Sequence, residues 1–173
     1  INQVLYETIK IIEQNGDVLL DNIPIKSGVK VYEDIVPYAA DGFYYDFGTT
    51  DASVHEKRYD AWRKEANIKA DLPADMMLAL LRERYKIDES IPDEAARKII
   101  SIRLDLYLNR FRQDEPVKIA EDINNRTVSH IETYANELRG IQTVIELGRY
   151  YPYGTSAQHI IGYVGRMTSN NIE

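Results

Sequence analysis

No cysteine occurs in the 173 residues, so disulfides and thiolate metal sites are excluded, although this absence selects no redox compartment. Histidine is scarce as well. The three present, His55, His130 and His159, show no ligand spacing, and no metal or other cofactor is expected. The longest apolar run, Met76-Met-Leu-Ala-Leu-Leu81, is far too short to cross a bilayer. No signal peptide is visible. Positive charge is in deficit: the formal net charge of −7 counts against a nucleic-acid binder, whose phosphate contacts need a basic face, and gives no attraction to an anionic membrane. The chain begins at Ile1 and stops at Glu173 in what reads as a first helical turn. It therefore looks like an excised piece, with any anchor or export signal of its parent lying elsewhere.

What is present is an ordinary globular balance, 44% hydrophobic and 28% charged, in a chain long enough to bury a core. Ile1, Val4, Leu5, Ile9 and Ile12 share a helical face that Asn15-Gly16 ends. Between 17 and 50, short β-type pieces (Val18–Leu20, Val29–Tyr32, Phe43–Phe47) are broken by Gly28, Pro37 and Gly42. Helices are then expected after Thr50 or Asp51, with Tyr59, Trp62 and Ala66 on one side, and from about Ala74 to Lys86. A third follows Ser90-Ile-Pro-Asp93, with the Ser90 hydroxyl as cap and a broad face of Ala96, Ile99, Ile100, Leu104, Leu108 and Phe111.

The style changes again at Pro116. Pro116–Ala120 alternates like a strand, Asn124 caps a helix bearing Val128, Ile131 and Ala135, and Gly140 ends the connection. Ile141, Thr143, Ile145 and Leu147 then alternate onto one face. The expected fold is α+β: a small mixed sheet with a strand–helix–strand unit, made by 1–50 and 113–173, plus an inserted helical lobe at 51–112.

Several short motifs imitate catalytic ones. Ser27-Gly-Val-Lys30 fits S-x-x-K, and Lys26-Ser-Gly28 fits K-[ST]-G. The two share Ser27, which cannot be both a nucleophile on a helix N-terminus and part of a facing strand. Ser169-Asn-Asn171 fits S-x-N but follows in the wrong order. Asp46-Phe-Gly48 stands without the other kinase motifs and reads as a turn. His55-Glu56 opens like a zincin helix, but Tyr59 stands where the second histidine belongs. Asn125-Arg-Thr127 fits a glycosylation sequon, yet at a helix start it reads better as capping chemistry.

One stretch is less ordinary. At Arg149-Tyr-Tyr-Pro-Tyr-Gly154, an arginine ends an alternating strand and Pro152 and Gly154 force a turn. Thr155 can cap a short helix carrying Ala157 and His159, which Gly162 and Gly165 stop. Its bland reading is a rigid corner; its sharper reading is a corner shaped to join another part of a protein. With Ala157-x-His159 and Gly162-Tyr-Val-Gly165, it resembles the signature of the non-catalytic dimerisation, or pedestal, domain of class B penicillin-binding proteins. Arg149, Tyr151, Pro152, Gly154, Ala157, His159, Gly162 and Gly165 carry that likeness. Pro116–Ile123 and Ala95–Arg103 are also similar to the family. The likeness is strongest over 92–165 and departs from the usual pattern at Ser156.

The resemblance implies that this module itself is not an enzyme, while its parent is a membrane-anchored peptidoglycan D,D-transpeptidase on the extracytoplasmic face of the cell membrane. Its implied partners are its own transpeptidase domain, a SEDS-family glycosyltransferase and elongation or division scaffolds, with the membrane reached only through an anchor helix outside this sequence. The helical insertion resembles the elongation type. Two other readings stay open: a free-standing extracytoplasmic interaction module, and a serine acyltransferase or hydrolase using Ser27 and Lys30.

Overall fold

The computed structural model describes residues 1–28, 42–110 and 116–146. Helix α1 spans Asn2–Gln14 and is followed by a two-stranded antiparallel sheet, β1 (Ile25–Ser27) and β2 (Phe43–Tyr45). Ile25 pairs with Tyr45, Lys26 with Tyr44 and Ser27 with Phe43. Three helices come next, α2 (Ala52–Glu65), α3 (Ala74–Arg84) and α4 (Asp93–Leu108), and α5 spans Asn125–Thr133. The fold is α+β. The described residues up to 143 make one compact unit.

Local chemistry sets most helix boundaries. The Asp51 carboxylate accepts from the amides of Ser53 and Val54 at 2.8 and 3.3 Å and starts α2. Asn124 does the same for α5, accepting from Arg126 and Thr127 at 2.9 and 3.0 Å. The first three helices share one way of stopping. Gly16, Asn67 and Lys86 each take a left-handed conformation, with φ of 85°, 53° and 52°. In each case the next amide reaches back to an earlier carbonyl: Asp17 to Ile12, Ile68 to Arg63 and Ile87 to Arg82. Ile68 and Ile87 then turn into the core, giving that closure its apolar contact.

The core is shared by elements far apart in sequence. Leu5 and Ile9 of α1, Ile23, Ile25, Met77 and Leu81 of α3, and Ile99, Ile100 and Leu104 of α4 form one buried cluster. Each such large aliphatic side chain contributes about 1.5–3 kcal/mol of burial. Helix α4 touches both α1 and α3, as its broad apolar face requires. Leu108, expected on that face, is 41% exposed, and Phe111 lies outside the described residues.

Other details differ from expectation. Strand β1 was not foreseen, whereas Val18–Leu20 yields a single bridge, Leu19 with Ala120. That bridge is all that the Pro116–Ala120 strand amounts to. Residues 141–146 form no strand, so of the expected strand–helix–strand unit the described residues retain α5 and the bridge. Alternation specifies which faces side chains would take, but a ladder also needs a partner edge. Helix α3 ends at Arg84, with Lys86 used in its closure. Ser90 does not cap α4; its own amide donates to Asp88 at 2.8 Å, making a turn before the helix. Helix α5 stops at Thr133, so Thr127 and Ile131 are its buried residues while Ala135 is exposed. Val29–Tyr32 lies outside the described residues.

Candidate functional site

Arg97 is the most heavily engaged buried ion among the described residues. It sits on the inner side of α4, 4% exposed, beside Ala96 and Ile100. Its Nη1 donates to Asp21 Oδ2 at 2.8 Å and to the Ile25 carbonyl at 3.1 Å. Its Nε and Nη2 fork onto Glu94 at 3.1 and 2.8 Å. A planar guanidinium can serve two carboxylates and a carbonyl at once, which a lysine ammonium cannot do with the same geometry. Burial alone would lower the Arg97 pKa, but the Glu94 and Asp21 carboxylates outweigh it and hold the pKa raised.

The junction extends outward. Lys26 also donates to Asp21 Oδ2, at 2.9 Å, and Lys98 reaches Glu13 on α1 and Glu94. The arrangement therefore fastens α4 to α1, to β1 and to the segment before β1. At Glu94, burial acts to raise the carboxyl, but hydrogen bonds from Arg97 and Ser27 and the charges of Arg97 and Lys98 win, lowering it to about 2.

That value bears on Ser27. Its hydroxyl bonds to a carboxylate that is a very weak base and already serves Arg97, so Glu94 is poorly matched to removing a serine proton. Ser27 also closes strand β1 instead of opening a helix, so the S-x-x-K geometry is missing at the serine. Lys30 lies outside the described residues. Lys26, the other half of the decoy, is occupied with Asp21. Asp46-Phe-Gly48 is the expected turn, the Gly48 amide donating to Asp46 at 2.9 Å.

Two further clusters support this frame. Between β2 and α2, the Tyr45 ring packs 4.9 Å from Tyr59, and Phe47 meets His55 edge-on at 5.0 Å. The Tyr45 hydroxyl donates to the Leu72 carbonyl at 2.8 Å, and burial followed by the Tyr59 hydrogen bond pushes its pKa upward. His55 is thus an aromatic packing partner. Between α1 and α5, Asn124 donates to Asp17 and to the Asn15 carbonyl while capping α5, and Asn15 approaches His130 at 3.2 Å. Thr127 of the sequon is fully buried at the start of α5.

The corner residues Arg149, Tyr151, Pro152, Gly154, Ala157, His159, Gly162 and Gly165 all lie outside the described residues. Sequence reasoning missed Arg97, Asp21 and Glu94. The available signal was an arginine among apolar residues on a helix's inner face, with an acid three positions earlier. Among the described residues no group of three metal-ligating side chains converges, and no helix is long and apolar enough to cross a membrane.

The fold and its polar fastenings define an α+β module whose buried arginine, Arg97, is engaged in joining elements. Residues 9–173 match the penicillin-binding protein dimerisation domain, a non-catalytic domain, and the chain belongs to that family. Comparison with curated proteins gives no match.

Proposed function

We propose that this chain is the pedestal of a membrane-anchored peptidoglycan D,D-transpeptidase of the elongation type, acting on the extracytoplasmic face of the bacterial cell membrane. It positions a penicillin-binding catalytic domain and offers contact surface to a SEDS-family glycosyltransferase and to elongation scaffolds. The observation that carries this reading is the family match over 9–173, which includes the whole Arg149–Gly165 corner. Segment 51–112 acts as the head lobe, and 1–50 with 113–173 as the base. In favour of this division, α2, α3 and α4 fall wholly within the head segment; Arg97 of that segment donates to Asp21 and Ile25 of the base.

In this reading Arg149 holds the corner by donating to backbone carbonyls or an acidic side chain, and carries no chemistry of its own. The test uses Arg149→Ala in the full-length parent. Loss of a buried donor should lower stability by about 1–3 kcal/mol, and lysine should rescue only in part. Labelled-penicillin acylation of the purified variant should persist while complementation of cell-wall growth fails. Lost acylation at unchanged stability would overturn the structural role and make Arg149 part of the reaction.

A further inference from the structure

The end of α1, the segment 17–21 and α4 border a cavity of about 280 Å³, near the lower end of the range for small-molecule sites. Leu19, Leu20 and Ile102 supply apolar wall, and Val18, 79% exposed, stands at the rim. Two polar atoms of its lining residues, Asp21 Oδ1 and Ser101 Oγ, are buried without a hydrogen-bond partner. Ser101 lies on the inner side of α4, one turn beyond Arg97, and is 2% exposed. Buried oxygens left unpaired are uncommon, because each forfeits its hydration without return. Two of them beside one cavity mark a place that a hydrogen-bond donor would fit.

The surrounding charge specifies which donor. Among the described residues Lys98 is the one cation in the lining, against Glu13, Asp17 and Asp21. Asp17 accepts from the Asn124 amide at 3.2 Å and from its side chain at 3.0 Å, but pairs with no cation among the described residues. Lys26 and Arg97 both bond to Asp21 Oδ2, which leaves Oδ1 open. Arg97 and Lys98 are also shared with Glu94, and Asp105 has Asn22 as its partner. Five carboxylates (Glu13, Asp17, Asp21, Glu94 and Asp105) thus stand around three cations, Lys26, Arg97 and Lys98. Burial, opposed by the Asn22 bond, raises the Asp105 carboxyl, and the Asp21 charge adds to that rise. The cations on Asp21 therefore do not cancel its field.

We propose that this cavity binds a primary ammonium group carried on a short apolar stem. The ammonium donates to Asp21 Oδ1 and Ser101 Oγ, and the stem lies against Leu19, Leu20 and Ile102. Other head groups fit less well. A carboxylate would add to the acidic excess, and a bare hydrocarbon would leave both oxygens unpaired. A neutral hydroxyl would bring one donor and no charge. An ammonium brings three rotatable donors and needs no planar slot, unlike a guanidinium. The group can arrive on a free alkylamine or on a lysine side chain of a peptide. The proposal does not rest on the pedestal reading and would hold for a free-standing module as well.

The test titrates n-butylamine, n-butanol, butyrate and an N-acetyl-lysine methylamide into the isotope-labelled chain at about pH 7, where an alkylamine is protonated. Amide shifts of Leu19, Leu20, Ser101 and Ile102 should saturate with the two amines and not with the alcohol or the acid. Tighter binding of the lysine derivative would make the natural source a peptide side chain, and tighter binding of butylamine a free amine; either bears the proposal out. Ser101→Ala, which deletes an unpaired hydroxyl, should weaken the amines roughly fivefold. Glu83→Gln, the loss of an exposed acid on α3, should leave affinity nearly unchanged. Should Ser101→Ala lose its helical circular dichroism, Val18→Trp at the rim is read instead and should block entry. The proposal is overturned if the amines give no saturable shifts at these amides, if butanol binds as well as butylamine, or if the cavity variant leaves affinity unchanged.

Discussion

Arg97 and Asp21, 76 positions apart in the chain, meet at 2.8 Å between Nη1 and Oδ2, and this contact joins helix α4 to the segment leading into β1. Removing the arginine leaves Asp21 and Glu94 without their strongest partner and takes a donor from the buried Ile25 carbonyl. Arg97→Ala should therefore lower stability by on the order of 3 kcal/mol, measured as a shifted urea midpoint. Arg97→Lys should recover part of that loss. A cost below that of an ordinary surface substitution would mean the junction does not hold these elements together.

Acid should loosen the same junction. The Glu94 carboxyl falls from its ordinary 4.5 to about 2 in the fold, so its contribution is complete above 4.5 and disappears as pH drops through about 2. Asp105 works the other way. Burial, opposed by the Asn22 bond and aided by nearby Asp21, raises its pKa, so it costs stability progressively as pH rises from the ordinary 3.8, and the cost is complete above the raised value. Glu94→Gln should lower stability at neutral pH by about 1 kcal/mol, allowing for solvent screening of a half-exposed group. It should also flatten the loss between pH 4.5 and 2. An unchanged acid limb in thermal melts would contradict this assignment.

Lys86 closes α3 with a φ of 52°, a conformation that glycine adopts without the penalty of a side chain. Lys86→Gly should stabilise the protein by about 0.5–1 kcal/mol, relief of that strain outweighing the greater freedom of the unfolded chain. Urea unfolding with an unchanged slope and a higher midpoint is the expected result.

Features governed by nearby residues were legible in the sequence. Asp51 and Asn124 announce α2 and α5 because each side chain caps amides two and three residues away. Gly16 ends α1 where a glycine is expected to. Features that need distant partners were not. The three residues of β1 become a strand only because Phe43–Tyr45 pairs with them, and 141–146 alternates without gaining a ladder among the described residues. The end of α3 was expected at about Lys86 and falls at Arg84, because nothing in a lysine signals the positive φ that Lys86 takes. Arg97 hides a junction because Asp21 and Ile25 are brought to it only by the packing of α4 against α1 and the sheet.

The central proposal is that this domain carries no penicillin-reactive serine and stands in a longer protein beside a domain that does. The direct measurement incubates the 173-residue chain and its full-length parent with labelled penicillin, followed by intact-mass analysis and mapping of the modified peptide. The account predicts no adduct on the isolated chain and one acylated serine in the parent, outside these 173 residues. A stoichiometric adduct on the chain that vanishes in Ser27→Ala would contradict it.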